Sequence, residues 1–266
     1  MLIGISGKIS SGKDTVGKII QYLVWKSRVE RGELPLSVYS FSDFARETSF
    51  GKNQSGFEIK KFADKLKDFV CILIGCTREQ LEDQDFKNKE LGEEWNCYIF
   101  NNGKKEELTL NYIIAKTLSA DNRIISRILT PRLLLQLLGT ECGRNIIHPN
   151  IWVNTLFADY KYEIHRSEVP TRAAGFIDQH VYPNWIITDM RFPNELEAVK
   201  KRGGITIRVE RFEQISTNIR VHGTGVPHES ETALDNAEFD YVIENNSSIE
   251  DLIHTVSLIL KREKII

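Results

Sequence analysis

The chain has little excess charge of either sign. Acids and bases nearly balance over its 266 residues, leaving a formal net charge of −2. Sequence-independent nucleic-acid affinity comes from neutralising many phosphates, so this balance argues against a surface built to coat DNA or RNA. It leaves room for a local basic cleft that takes one small polyphosphate. No run of about 18 apolar residues occurs, so nothing in the sequence reads as a membrane-spanning helix. Cysteine is sparse: Cys71, Cys76, Cys97 and Cys142 form no CxxC pair and have no neighbouring HxxxH. Buried, reduced thiols are the expectation, rather than a disulfide frame or a zinc site. The opening residues Met1 to Ile5 have no basic segment followed by a long apolar stretch. A cytoplasmic chain is therefore expected. Internal repeats and low-complexity segments are absent as well.

What is present is an alternation of short apolar runs and amphipathic stripes. Leu2 to Ser6 reads as a buried strand that runs straight into a glycine-bearing turn. Beyond Gly12, the residues Val16, Ile19, Ile20, Leu23 and Val24 recur at the spacing of one helix face. Further strand candidates are Ser37–Phe41, Trp185–Asp189, Ile205–Val209 and Tyr241–Glu244. The helix before the fourth strand would stop at Gly203-Gly204, and a last helix would run through Leu252, Val256 and Leu260. Strands alternating with helices predict an α/β fold with a parallel sheet. Residues 57–180 are mostly helical in pattern, apart from a small hairpin around Asn101-Asn102-Gly103, and 78–125 reads as an insertion near an acceptor site. The whole of 1–266 is read as one domain, with a largely helical region over about 57–180 suited to binding an acceptor and a lid-like polar segment over about 211–238.

Gly7-Lys8-Ile9-Ser10-Ser11-Gly12-Lys13 matches the P-loop spacing, and Asp14-Thr15 follows where Ser or Thr is usual. Small residues let successive backbone N–H groups turn inward on a phosphate, and the helix N-terminus behind them adds partial positive charge. Lys13 would reach the β- and γ-phosphates of ATP. Gly7, Ser10, Ser11, Gly12, Lys13, Asp14 and Thr15 are thus the candidate ATP-binding set. Either Asp14 or Thr15 could face Mg²⁺. Asp189, at the end of an apolar strand, is the second metal candidate, with capping of the following helix as the alternative. Arg191 is a candidate phosphate contact, and Glu195 reads as a first-turn acid.

Two blocks suit an anionic acceptor. Phe62 to Lys67 supplies Asp64 and Lys67, and Thr130 to Arg144 supplies Arg132, Gln136 and Arg144. Arginine grips phosphate through paired hydrogen bonds, so one helix carrying Arg132 and Arg144 would clamp a monophosphate. Gln136 shares a helix face with Arg132. Trp152 either stacks on a base or fills the core. His228-Glu229-Ser230-Glu231 reads as a helix N-terminus with Ser230 as its cap.

These motifs resemble the phage-type deoxynucleoside monophosphate kinases of the P-loop nucleoside monophosphate kinase-like fold. The residues concerned are Gly7–Thr15, Phe62–Lys67, Thr130–Arg132, Leu138–Arg144, Trp152, Asp189–Glu195 and His228–Glu231. The resemblance implies a five-stranded parallel sheet of order 2-3-1-4-5 flanked by helices. It also implies ATP as co-substrate with Mg²⁺, a small-molecule nucleotide acceptor bound by the helical region, and no nucleic-acid polymer or membrane as partner. A monomer or homodimer in the cytoplasm of an infected host fits it. An aspartate after the loop lysine looks usual for this group. Kinases of other small phosphorylated acceptors, such as dephospho-coenzyme A, look similar around the loop. A P-loop NTPase acting on nucleic acid is the reading from another class.

Overall fold

Leu2 to Ser6 has every residue buried, as a strand covered on both faces must. In the computed structural model this strand is the centre of the sheet. The structure describes residues 1–37, 40–46, 54–92, 95, 97–101, 104–108, 129–166, 178–211 and 229–266. In chain order the strands are β1 (Leu2–Ser6), β2 (Phe57–Lys60), β3 (Cys97–Asn101), β4 (Lys104–Leu108), β5 (Glu163–Arg166), β6 (Asp178–Val181), β7 (Asn184–Met190), β8 (Ile205–Glu210) and β9 (Tyr241–Glu244). Contacts divide the chain into two compact units, one of residues 1–62 with 153–266, the other of residues 63–152.

The first unit holds a five-stranded sheet ordered β2-β7-β1-β8-β9. All four pairings are parallel, with Ile3 opposite Ile186 on one side and Ile205 on the other. Numbered along the sheet's own strands, the order is 2-3-1-4-5, as the resemblance implies. Period-two alternation sends neighbouring side chains into different cores. Ile3, Ile5, Ile186 and Ile207 meet Val16, Ile19, Ile20, Leu23 and Val24 of helix α1 (Lys13–Glu30) and Leu252, Val256 and Leu260 of the last helix, Ile249–Arg262. Leu2, Trp185, Ile187 and Met190 meet Val153, Leu156 and Phe157 and the helix Pro193–Lys200. Each fully buried aliphatic side chain contributes about 1.5–3 kcal/mol. Gly17 lets α1 lie close on the sheet, because a Cβ there would sit 2.7 Å from Thr188 Cγ2.

The strand expected over Ser37–Phe41 is corrected. Residues 38–39 lie outside the described set, and Phe41 begins a helix that runs to Arg46. Ser40 Oγ accepts the backbone N–H of Asp43 at 3.2 Å and donates to Asp43 Oδ2 at 2.6 Å, a local closure that starts a helix. The second strand is Phe57–Lys60 instead, an edge strand. Phe57 and Ile59 face the core, while Glu58 and Lys60 pair at 2.8 Å on the other face.

The second unit packs Leu66, Val70, Leu81, Leu129, Leu134 and Leu137 into its own cluster. The hairpin expected around Asn101-Asn102-Gly103 is found as the antiparallel pair β3–β4, and a second pair, β5–β6 in the first unit, was not foreseen. Cys71 and Cys76 are half-buried and Cys142 is exposed, so none of the described thiols is fully buried as expected. Among the described residues no helix is long and apolar enough to cross a membrane.

Candidate active site

The glycine turn after β1 adopts backbone that only certain residues tolerate. Ser10 has φ +63° and Gly12 has φ +99°. A Cβ at Gly12 would meet Asn245 Nδ2 at 2.4 Å, and one at Gly7 would meet Val209 O at 2.4 Å. The loop is closed by Ser11 N–H donating to Lys8 O at 3.2 Å, and Val16 N–H bonds Gly12 O at 2.9 Å as α1 begins. Asn245, at the end of β9, donates from Nδ2 to Ser11 O at 2.8 Å. Ser11 is buried, and its Oγ has no hydrogen-bond partner among the described residues.

Lys13 is the first residue of α1, and its Nζ donates to Lys8 O at 2.5 Å. Burial pushes its pKa down to about 8; Arg191 adds to the fall, while Glu231, Asp14 and Asp189 oppose it. Four charged groups therefore act on Lys13. Asp14 Oδ1 accepts from Thr188 Oγ1 at 2.8 Å and pairs with Lys61 Nζ at 2.8 Å. Burial alone would raise the Asp14 carboxyl, but Lys61 and Thr188 outweigh it and hold the group below the usual carboxylate range. Thr15 stands next on α1, half-buried.

β7 delivers Asp189 beside the loop, because β1 and β7 are paired in parallel and end together at Ser6 and Met190. Asp189 Oδ1 accepts the backbone N–H of Phe62 at 2.7 Å, across 127 residues of chain. Asp189 is not the cap of the following helix, which starts at Pro193. Glu195 instead accepts the backbone N–H of Arg191 at 2.7 Å and of Phe192 at 3.1 Å through Oε2, and it is 1% exposed. Arg191 Nη1 is ion-paired to Glu231 Oε1. Glu231 lies in a short helix, Glu229–Thr232, which places Ser230 inside the helix rather than before it as a cap. His228 and most of the lid-like segment lie outside the described residues.

In the second unit, Asp64 opens the helix Asp64–Ile74 and pairs with Arg78 at 3.1 Å. Lys67 pairs with Glu82 at 2.5 Å. Arg132 donates from Nε to Asn88 Oδ1 at 2.8 Å and from Nη2 to Gln84 Oε1 at 2.7 Å. Two neutral amides thus fix its guanidinium without cancelling its charge. Thr130 Oγ1 accepts Leu133 N–H at 3.2 Å to start the helix Pro131–Gln136, which carries Arg132 and Gln136.

The helix survives Gly139 and Gly143, but it changes winding: Leu137–Ile147 is π-helical. An α-helix would leave Arg132 and Arg144 about 120° apart around the axis. The π winding, with its i→i+5 bonding, turns less per residue and so reduces that separation, and Arg144 Nη1 is buried. A Cβ at Gly143 would lie 2.4 Å from Leu138 O, so the winding requires glycine there. Glu141 Oε2 is buried in this segment with no hydrogen-bond partner among the described residues. Trp152 donates its indole N–H to Gly139 O at 2.7 Å and packs against the leucine cluster.

Sequence reasoning missed Asn245, Lys61 and Thr188, and it marked Glu231 only as part of the His228–Glu231 block, with no role of its own. Thr188 had a visible signal, since it precedes a strand-terminal carboxylate. The others act through chain separations too long for local pattern to show.

A model of the deoxynucleotide monophosphate kinase family matches residues 85–256. The deoxynucleoside-5'-monophosphate kinase of Escherichia phage T5 is 24% identical over 223 residues, covering 76% of this chain and 72% of that protein.

Proposed function

The chain belongs to the deoxynucleotide monophosphate kinase family, and we propose that its phosphoryl transfer runs on the loop, strand and helix residues described above. The enzyme phosphorylates deoxynucleoside monophosphates with ATP as co-substrate. The observation that carries the assignment of roles is the placement of Asp14, Asp189 and Arg191 around Lys13 where β1 and β7 end together, each acting on the lysine's charge. Gly7, Ser10, Ser11, Gly12, Lys13, Asp14 and Thr15 cradle the triphosphate. Lys13 exchanges its backbone carbonyl partner for the phosphate oxygens.

Mg²⁺ fits the donor set. Asp14, Thr15 and Asp189 offer hard oxygen atoms, and this ion is usually held by one or two carboxylates with phosphates and water completing its shell. No group of three His, Cys, Asp or Glu side chains suited to a metal occurs among the described residues. Bound there, the ion would neutralise charge on the phosphate oxygens. Asp14 would have to loosen its pair with Lys61 to take part.

Arg132 and Arg144 hold the acceptor's phosphate, with Gln136 on the same face as Arg132. Arg132 is the stronger candidate of the basic residues here, because Lys67 already has a carboxylate partner in Glu82. Asp64 orders Arg78, and Trp152 shapes the helix around Gly139. The acceptor phosphate is itself an anionic nucleophile, so no strong general base is required. Positioning and charge neutralisation supply the catalysis.

ADP release tests this reading. Purified enzyme with ATP and Mg²⁺ is offered each dNMP, the matching NMPs, dephospho-coenzyme A and single-stranded DNA. Stimulation by dNMPs, lost in Arg132→Ala through a raised KM for the acceptor, supports the assignment. An Arg132→Ala enzyme with an unchanged acceptor KM removes that residue from the site.

A further inference from the structure

The sequence reading gave Glu231 no role, yet its carboxylate is shared between two parts of the candidate active site. Oε1 is ion-paired to Arg191 Nη1, and Oε2 accepts the backbone N–H of Ile9, inside the loop, at 3.3 Å. Arg191 is thereby fixed at both ends. Glu195 Oε2 holds its backbone N–H at 2.7 Å, and Glu231 holds its guanidinium.

Four residues on, Asp235 repeats the arrangement. Its carboxylate lies 3.5 Å from Lys8 Nζ and 3.0 Å from Arg208 Nη2. Arg208 is 8% exposed and also donates to Ser6 Oγ at 3.2 Å. Two carboxylates from one short segment therefore grip the first half of the loop, at Lys8 and Ile9. The segment itself is seated by Leu234 in the core beneath β7.

A carboxylate close to a polyphosphate site is repelled by the substrate unless a cation neutralises it, and Arg191 does so here. The pair carries no net charge, so what Glu231 adds is orientation. A flexible arginine loses much side-chain freedom when it grips a phosphate, and fixing it in advance removes that cost from the reaction. We propose that Glu231 is a positioning residue for phosphoryl transfer, holding the Arg191 guanidinium against the loop at Ile9 so that it meets the transferring phosphoryl group already oriented. The inference rests on the reading of Arg191 as a phosphate contact.

Steady-state kinetics on five proteins tests it: wild type, Glu231→Ala, Glu231→Gln, Arg191→Ala and the double variant Glu231→Ala/Arg191→Ala. Loss of Glu231 is expected to lower kcat about 10- to 100-fold while the KM for ATP moves less than about threefold. In the Arg191→Ala background the same change should cost no more than about twofold, because Glu231 acts through that arginine. Glu231→Gln keeps the shape and serves if the alanine variant melts early. Losses that multiply in the double variant, or wild-type kcat in Glu231→Gln and Glu231→Ala, overturn the inference and leave Arg191 in place. An Arg191→Ala enzyme running at the wild-type rate removes both roles.

Discussion

Asn245 donates a hydrogen bond from Nδ2 to the carbonyl of Ser11 at 2.8 Å, across 234 residues of chain. Its own backbone N–H is fixed on Glu210 O at 2.7 Å. The residue that follows the last strand of the sheet thus holds the Gly7–Lys13 loop in the shape that its left-handed residues require.

Asn245→Ala should raise the KM for ATP about three- to tenfold with a smaller change in kcat. One hydrogen bond of this kind is worth about 0.5–1.5 kcal/mol. An ATP titration followed by calorimetry checks it, and unchanged affinity would show that the loop keeps its form unaided.

On the proposed role of Lys13 at the transferring phosphate, Lys13→Ala should lower kcat at least about a thousandfold. Stability should hold or rise near neutral pH. Lys13 is pushed down to about 8 on folding. The unfolded chain, with the ordinary higher lysine value, therefore binds the proton more tightly. Below about pH 8 a protonated Lys13 costs stability, and that cost fades as pH rises from about 8 toward the unfolded value. Thermal denaturation beside the activity assay separates the two effects.

The same shift sets a pH dependence for substrate binding. Phosphate oxygens favour charged Lys13, so ATP affinity should be flat below about pH 8 with respect to this group. Above it, affinity should weaken by up to about tenfold per pH unit. Binding isotherms from pH 6.5 to 9.5 check this, and a Lys13→Arg enzyme should lose the alkaline fall.

Glu195→Ala should destabilise the fold by roughly 2–3 kcal/mol, because it strands two backbone N–H donors beneath a side chain that is 1% exposed. Glu195→Gln should retain most of the lost stability, since its amide oxygen still accepts. Urea unfolding of the three proteins gives the comparison.

The sheet was largely legible in the sequence because its strands are buried on both faces and read as short apolar runs. Trp185 to Asp189 and Ile205 to Val209 are such runs. The second strand was missed for the opposite reason. Phe57 to Lys60 lies at the edge, alternates apolar with charged residues and spans only four residues. Ser40 and Asp43 meanwhile close a helix start in a segment whose side chains favour a strand. In the candidate site, Gly7 to Thr15 and Asp189 were legible as a glycine-bearing turn and a strand-terminal carboxylate, and the parallel pairing of β1 and β7 brings them side by side. Asn245 was not, because its partner lies 234 residues away, and Glu231 was visible only as part of the His228–Glu231 block, because its partners Ile9 and Arg191 lie 222 and 40 residues away. The π winding of Leu137–Ile147 was illegible too. Glycine at 139 and 143 shows only that the backbone has freedom, not which way it turns.

The most direct test of the central claim follows the phosphoryl group itself. ATP labelled in its γ-phosphate is incubated with enzyme, Mg²⁺ and one dNMP, and the label is located by chromatography. The account predicts label in the β-phosphate of the dNDP, absent from the Lys13→Ala reaction. Label released as inorganic phosphate, with no labelled dNDP, would contradict it.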